Sequence, residues 1–551
     1  MKNRINLLLM ASILCVGSVL CIPQTAYGAD YTPGQSLVAE DQVKASRGLN
    51  FPGLDITWLD LGDNHLISYS SMPDQFSEGI FTMDLGDANG RKSVAFDASG
   101  KIISTGNYDE VHLFSDGMAL VRKYLPRETE VQPGQLSAPP GYQTGYIDKE
   151  GREVIPLGKL DGLEHEFYEG FAVIGGYDQK KGFIDKTGEI AIPQIYLNAG
   201  DFSEGLAPVQ SAETKLWGYI DNAGSLVIPM EFETAEPFHE GLAYVCKGGL
   251  AGYIDKSGKT AIDFQLKPEE NPGAVDRNFH DGLAAAPDAS GKYGYIDKSG
   301  AFAIPAKYRS VEPFTGGLAF VTSENPAYTG GYGSGFLIDR QGERITPLWY
   351  YSHYVGETAE EGLIRVIYPY GPSSNESIAV LNQYGAEVIP ASLNIENISP
   401  FNGGAALLIG SGKDGEMTAG LVKKPENIDE KKSGSLIKVL IDGKRLDFTD
   451  TDPVIENSRT LVPMRAIFES LGAQVSWDAE SLTATGTKDS IAVSLKIGDK
   501  KGYINGKAVD LDVPARIQNA RTMVPIRFIA ESFQADVSWS DENRTISIET
   551  K

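Results

Sequence analysis

The pattern Gly-aromatic-Ile-Asp-x-x-Gly occurs five times in the middle of this chain, opening at Gly145, Gly182, Gly218, Gly252 and Gly294. The copies start 34 to 42 residues apart. Periods of this length belong to architectures in which one small unit is copied and each copy covers the apolar face of the next. A second phrase, Phe-x-(Glu/Asp)-Gly-apolar-Ala, precedes the copies at Phe114, Phe167, Phe202, Phe238 and Phe279, with weaker versions at Phe76, Phe314 and Phe401. A third phrase, Ile-Pro, follows most of them, as at Ile192-Pro193 and Ile228-Pro229. Together these phrases mark about eight units over residues 70–422.

One copy shows the physics of all. Leu206–Val209, Trp217–Ile220 and Leu226–Ile228 are short apolar runs of strand length. Asp221-Asn222-Ala223-Gly224 joins the second to the third, with Asp opening a turn and Gly supplying its left-handed residue. The proline after the third run is expected to stop the strand, because it donates no hydrogen bond. Helical periodicity is missing from the region. The expected fold class is mainly β: tandem β-meander repeats, either propeller-like or an open β-solenoid, followed by a small duplicated α+β domain.

The Phe-x-Glu-Gly-Leu-Ala phrase together with Trp217-Gly218-Tyr219-Ile220-Asp221 resembles the bacterial WG-repeat family. Gly218, Tyr219, Asp221 and Gly224 are the positions that carry the motif. Only this copy keeps the Trp-Gly dipeptide; the others read Gly-Tyr-Ile-Asp or Gly-Phe-Ile-Asp. The resemblance implies a secreted repeat array without a defined enzymatic activity.

The first residues have a different character. Lys2 and Arg4 precede an apolar run from Ile5 to Ile22, and small residues follow at Ala26, Gly28 and Ala29. That order reads as a secretory signal over residues 1–29, cut after Gly28 or Ala29, and residues 30–69 form a lead-in. An uncleaved membrane anchor is the competing reading, and the small-residue exit favours cleavage. Of the 3 cysteines, Cys15 and Cys21 lie within the signal. Cys246 is left alone, so the fold has no internal disulfide and Cys246 reads as a small buried hydrophobe. The net charge of −25 disfavours nucleic acid and anionic lipid as partners.

Residues 423–435 are charged, poor in apolar residues and end in Gly and Ser, a linker composition. Beyond it, residues 436–551 contain their own duplication. Arg459-Thr460-Leu461-Val462-Pro463-Met464-Arg465 matches Arg521-Thr522-Met523-Val524-Pro525-Ile526-Arg527 at an offset of 62, and Val475-Ser476-Trp477 matches Val537-Ser538-Trp539. Asp442-Gly443 and Asn505-Gly506 signal hairpins. Pro463 suits the first position of a short helix that Gly472 ends. This pair resembles the stalk-like module named for the N-terminal domain of copper amine oxidases. The resemblance implies a stalk or adhesion role and no oxidase chemistry, since none of the chain's 6 histidines lies here.

Arg465 and Arg527 each precede a glutamate by one helical turn; they are either ligands for a wall polymer or i,i+4 partners of Glu469 and Glu531, and the latter is favoured. Trp477 and Trp539 are either sugar-stacking platforms or core residues, and alternation favours the core. No nucleophile elbow, phosphate loop or dinucleotide fingerprint is present. The recurring acids Glu169, Glu204 and Glu240, and Asp185, Asp221 and Asp255, recur because each copy needs its turn; a catalytic pair is needed once. Asp-x-x-Gly also lacks the alternating acids of a calcium loop. No catalytic, cofactor or metal residue is assigned. The chain reads as a secreted or envelope-associated binding or adhesion protein whose partner the sequence leaves unknown, a cell-wall glycan and another envelope protein being the candidates. The alternative is a secreted carbohydrate-active enzyme with acids in the repeat loops.

Overall fold

A computed structural model describes most of residues 51–551; residues 1–50 and several internal stretches, the longest being 67–75, 126–140, 324–333, 347–361, 369–376 and 427–435, lie outside the description. The expected cleavage residues Gly28 and Ala29 therefore fall outside it.

Among the described residues, nine small antiparallel sheets follow one another between Ile56 and Lys423, one more than the phrases suggest. We number these units 1 to 9. Unit 4 is representative, with strands Asn198–Ala199, Leu206–Gln210, Trp217–Asp221 and Leu226–Phe232 paired in sequence order. Its residues alternate between two neighbours. Ala207, Val209 and Ile220 pack on Val173 and Phe183 of unit 3, while Leu206, Tyr219 and Ile228 pack on Phe238 and Val245 of unit 5. Both faces of Leu206–Gln210 and Trp217–Asp221 are thus covered, which is why these two strands read as unbroken apolar runs, whereas the third strand leaves Leu226 and Val227 exposed.

The units close into a ring. Apolar clusters join units 1 and 2, 2 and 3, and so on to 8 and 9. A further cluster joins Phe81, Val94 and Phe96 of unit 1 to Leu407, Ile409 and Leu421 of unit 9. The seam is backbone as well: Ile56–Trp58 pairs antiparallel with Met417–Lys423, placing the lead-in strand as the outer edge of the last sheet. Leu59 N–H donates to Ala419 O at 3.0 Å and Lys423 N–H to Asp55 O at 2.9 Å. The open solenoid is excluded, and residues 56–58 belong to the ring rather than to a separate lead-in.

Proline ends the third strand as expected in units 2 and 8, where Glu153–Ile155 and Glu387–Ile389 stop before Pro156 and Pro390, but not in units 3, 4 and 6. Leu226–Phe232 runs through Pro229, and Ile190–Tyr196 and Phe302–Tyr308 run through Pro193 and Pro305. The register shifts there: Tyr219 pairs with Ile228 but Trp217 pairs with Phe232. A bulge leaves a residue out of the ladder, so a residue without an N–H is accommodated. The bulged strand presses against the motif glycine. A Cβ on Gly218 would lie 2.6 Å from Ile228 O, and the same carbonyl lies within 2.4 to 2.6 Å at Gly145, Gly182, Gly252 and Gly294.

The C-terminal module interlocks its two halves. Strands Arg459–Pro463 and Arg521–Pro525 pair antiparallel, with Val462 opposite Val524, so a pseudo-twofold axis passes through two fully buried valines. Lys438–Ile441 of the first half pairs in parallel with Thr545–Glu549 of the second. Helices α1 (Met464–Ser470) and α2 (Ile526–Ser532) bury Ile467, Phe468 and Ile529 in one core shared by both halves. Pro463 and Pro525 stand at the N-cap, one position earlier than expected, because each still pairs as the last residue of its strand. Asp442-Gly443 and Asn505-Gly506 take positive φ and turn the expected hairpins.

The module touches the ring at unit 7. Arg344, only 9% exposed, pairs with Asp452 and donates to Phe448 O at 3.1 Å. Arg445 donates to Glu343 at 2.6 Å and to Arg344 O at 2.7 Å.

Candidate functional site

The repeated residues of the ring are joints between units. Tyr219 has no exposed surface, and its hydroxyl donates to Glu236 O of unit 5 at 2.7 Å while its ring meets Phe238 at 4.9 Å. Tyr253 and Tyr295 repeat both contacts with units 6 and 7. Burial lifts the Tyr219 hydroxyl well above its ordinary pKa. Asp221 accepts from the Ser225 and Ala223 N–H groups at 2.8 and 3.0 Å, and Gly224 takes φ +76°, as the turn requires.

The phrase Phe-x-Glu-Gly is a two-residue hairpin turn in which Glu204 and Gly205 both have positive φ. A glutamate in that region is uncommon, and its side chain supplies the reason. The Gly241 N–H of unit 5 donates to Glu204 at 3.0 Å, and Lys256 of unit 5 pairs with the same carboxylate at 3.0 Å. Glu78, Asp116, Glu169, Glu240 and Asp281 likewise accept from the glycine N–H of the following unit. Partial burial would lift the pKa of Glu204; Lys256 and the Gly241 N–H outweigh it and hold the carboxyl below its usual range. Sequence spacing identifies these acids as turn residues, and the structure adds that they staple units 1 to 7 in succession.

Close to this ladder, His280 and Asp276 form a pair at 2.9 Å, and the His239 ring lies 5.4 Å from His280. The hydrogen bond to Asp276 raises the pKa of His280, whereas burial and then His280 itself lower that of His239. Among the described residues, no group of three or more His, Cys, Asp or Glu is placed to hold a metal ion. Cys246 is free and buried.

The module presents a different surface. Two grooves lie on it, related by the pseudo-twofold. One, of about 390 Å³, is lined by Ile455, Arg459 and Thr460 from the first half and Pro525, Arg527 and Trp539 from the second. The other, of about 800 Å³, is lined by Ile517, Arg521, Thr522, Pro463, Arg465 and Trp477. Each residue of the first set has its counterpart in the second at the offset of 62. Each groove therefore combines the hairpin of one half with the helix start and tryptophan strand of the other.

The two tryptophans differ. Trp539 is half-buried and packs against the shared core as expected, with Nε1 donating to Asp541 at 2.6 Å. Trp477 departs from the expectation: it shares a strand face with the core-packing Val475 but is 40% exposed and lines the groove. Arg465 and Arg527 approach Glu469 and Glu531 only at 3.9 and 4.0 Å and stay largely exposed. The i,i+4 pairs thus form as expected, at long distance, and the arginines also line the grooves. Sequence reasoning missed Ile455 and Ile517, which are 44% and 54% exposed at equivalent positions. An apolar residue kept open twice was the available signal.

Comparison with known proteins fits these parts. The family model described as WG containing repeat matches residues 95–124, 145–174, 182–212, 217–250 and 293–325. The one described as Copper amine oxidase N-terminal domain matches residues 440–548. A protease inhibitor of Brevibacillus choshinensis is 36% identical over 86 residues, 16% of this chain and 26% of that protein. A primary amine oxidase of Klebsiella aerogenes is 35% identical over 75 residues, 14% of this chain and 10% of that protein. The chain thus spans about a quarter and a tenth of these two relatives. Among solved structures, the computationally designed Ika8 protein aligns over 65% of this chain and 99% of its own, with a TM-score of 0.33 and 14% identity. The WD40 β-propeller domain of Doa1 aligns over 47% and 94%, with a TM-score of 0.23 and 10% identity. The two families found are a repeat family and an amine oxidase N-terminal domain that lacks the catalytic part.

Proposed function

We propose that this chain, which carries five WG-containing repeats and a C-terminal copper amine oxidase N-terminal domain, is a secreted, non-catalytic binding protein of the cell envelope. One observation carries the reading. The patterned acids of the ring are engaged in joining its units or in holding their turns, while the module keeps two equivalent Arg–Trp grooves open. The ring is a rigid platform and the module is the attachment element. Export rests on Lys2, Arg4, the apolar run to Ile22 and the small residues Gly28 and Ala29.

Two measurements test this. The exported product should begin at Ala29 or Asp30, and a product beginning at Lys2 or Asn3 would replace secretion with anchoring. The purified chain should co-sediment with isolated cell envelopes without releasing reducing sugar. Release of reducing ends would make it the carbohydrate-active enzyme instead, and failure to sediment would end the attachment reading.

A further inference from the structure

We infer that copies of this chain join head to tail: the exposed edge strand Lys507–Asp510 of one module docks on the apolar rim of unit 4 in a second copy. The partner is the chain itself, apart from any envelope ligand.

The contact that holds the module on its own ring shows what the rim can do. Arg344, bridged to Ile338, stands where the third strand begins in other units, and the module covers it through Asp452 and Phe448 O. Leu226 stands at the same place in unit 4, paired with Ile220. Here the place is open: Leu226 is 53% exposed and its neighbour Val227 44%. Ile190 and Phe302 hold the place in units 3 and 6, at 47% and 43%. A large apolar residue kept open at one position in three units is a pattern, and patterned apolar exposure marks a contact surface. Unit 4 exposes the most, with two such residues side by side.

The module's duplication supplies the other face. Its ring-facing stretch follows the hairpin Asp442-Gly443 and carries Arg445, Phe448 and Asp452. The second hairpin, Asn505-Gly506, opens the equivalent stretch, with Ala508 and Leu511 at the places of Arg445 and Phe448. Strand Lys507–Asp510 is an outer edge of its sheet, and all four of its residues are exposed, Val509 by 37%. The changes on the two sides match. Within one copy, Arg445 meets Glu343 at 2.6 Å and Arg344 meets Asp452. The counterparts of these four charged residues are Ala508, Ser225, Leu226 and Pro514, none of them charged. Both ion pairs vanish together, so the second face meets unit 4 without burying an unpaired charge.

Charge also decides which surfaces of two copies meet. Residues 435–551 hold 15 basic and 17 acidic side chains, a net of −2, so −23 of the chain's −25 falls before them. Ring against ring would bring two strongly negative bodies together, whereas ring against module sets one beside a nearly neutral partner. A module fixed on unit 7 cannot also sit on unit 4 of its own ring, three places round, so its second face is left for another copy. Donor and acceptor are different surfaces, and such contacts build open chains unless the rotation closes.

The test is sedimentation velocity of the full chain from about 1 μM to about 1 mM, the range of weak protein contacts. The weight-average mass should rise with concentration past that of a dimer. Leu226→Asp and Val509→Asp, both at exposed positions, should each leave the thermal midpoint unchanged and weaken association by roughly tenfold or more. An equimolar mixture of the two variants should form dimers and stop there, because the intact strand of one still meets the intact rim of the other. A parent chain that stays monomeric throughout, or variants that associate as the parent does, would overturn the inference. So would a mixture that grows no larger than either variant alone, or one that grows past dimers.

Discussion

Replacing Gly218 by alanine should destabilise unit 4 by about 3 kcal/mol, far more than the same change at Gly224. The backbone at Gly218 is not in the left-handed region, so by conformation alone alanine would stabilise, by roughly 0.4–1 kcal/mol, through the unfolded chain. Packing reverses the sign. The new Cβ would meet Ile228 O at 2.6 Å, Met230 N at 2.8 Å and the Pro229 carbonyl carbon at 2.9 Å, all of them backbone. The third strand would have to retreat by roughly 0.8 Å to reach ordinary contact. That loosens hydrogen bonds worth about 1 kcal/mol each and unpacks Ile228 and Phe232, which are 0% and 1% exposed. At Gly224, by contrast, φ is +76° but the nearest atoms are the Ile192 side chain at 3.5 Å, an ordinary contact. Only the left-handed strain remains, about 1–2 kcal/mol. Hydrogen exchange under native conditions separates the two, because a 3 kcal/mol loss speeds exchange of the Tyr219 and Ile220 amides by roughly 150-fold. If Gly218→Ala exchanges no faster than Gly224→Ala, the bulged strand does not press on the motif glycine and the reasoning fails.

Three further outcomes are expected. Residues 436–551 expressed alone should unfold cooperatively in urea, whereas residues 436–489 alone should stay unfolded by circular dichroism, because strands of the two halves share sheets and one core. Arg344→Ala should weaken docking of the module on unit 7 by about 2–4 kcal/mol and enlarge the radius of gyration in solution scattering; an unchanged radius would deny the contact any role. The pKa of His280 is raised from 6.5 by Asp276, so its contribution to stability is full below that value and fades as the pH climbs through the raised one. Asp276, which burial alone would lift, is held low by His280, so its share fades as the pH falls. His280→Gln should therefore cost roughly 0.5 kcal/mol near about pH 5.5 and almost nothing near about pH 9 in urea unfolding. His239→Gln, whose histidine has a lowered pKa, should show the opposite trend.

What the sequence made legible was local. Asp221 and Gly224 announce their turn, Asp442-Gly443 and Asn505-Gly506 announce theirs, and the apolar spacing after Pro463 and Pro525 announces two helices, because each depends on neighbours a few residues away. The repeat period likewise established a β array. What stayed hidden was non-local. Nothing in Ile56–Trp58 advertises a partner near Gly420, and nothing in the duplication says that each half lends its hairpin to the other's groove. Trp477 illustrates the difference. Alternation places it on the same face as Val475, yet only the three-dimensional edge of the core decides whether that face is covered there. Pro229 is a third case: its effect depended on whether a bulge would receive it.

The seam of the ring also sets an order of events. The strand that completes unit 9 is made first and its partner Met417–Lys423 last, so a chain emerging from its N-terminus holds an unsatisfied edge until the whole array has appeared. Units 2 to 8 can stack as they emerge, each on the one before, but unit 1 keeps a bare apolar flank, including Phe81 and Phe96, until unit 9 arrives. The array therefore cannot be shortened from either end without exposing two raw faces at once, whereas gain or loss of an internal copy leaves the seam intact. Growth of such a protein by copying is confined to its interior, and its two ends evolve as a matched pair.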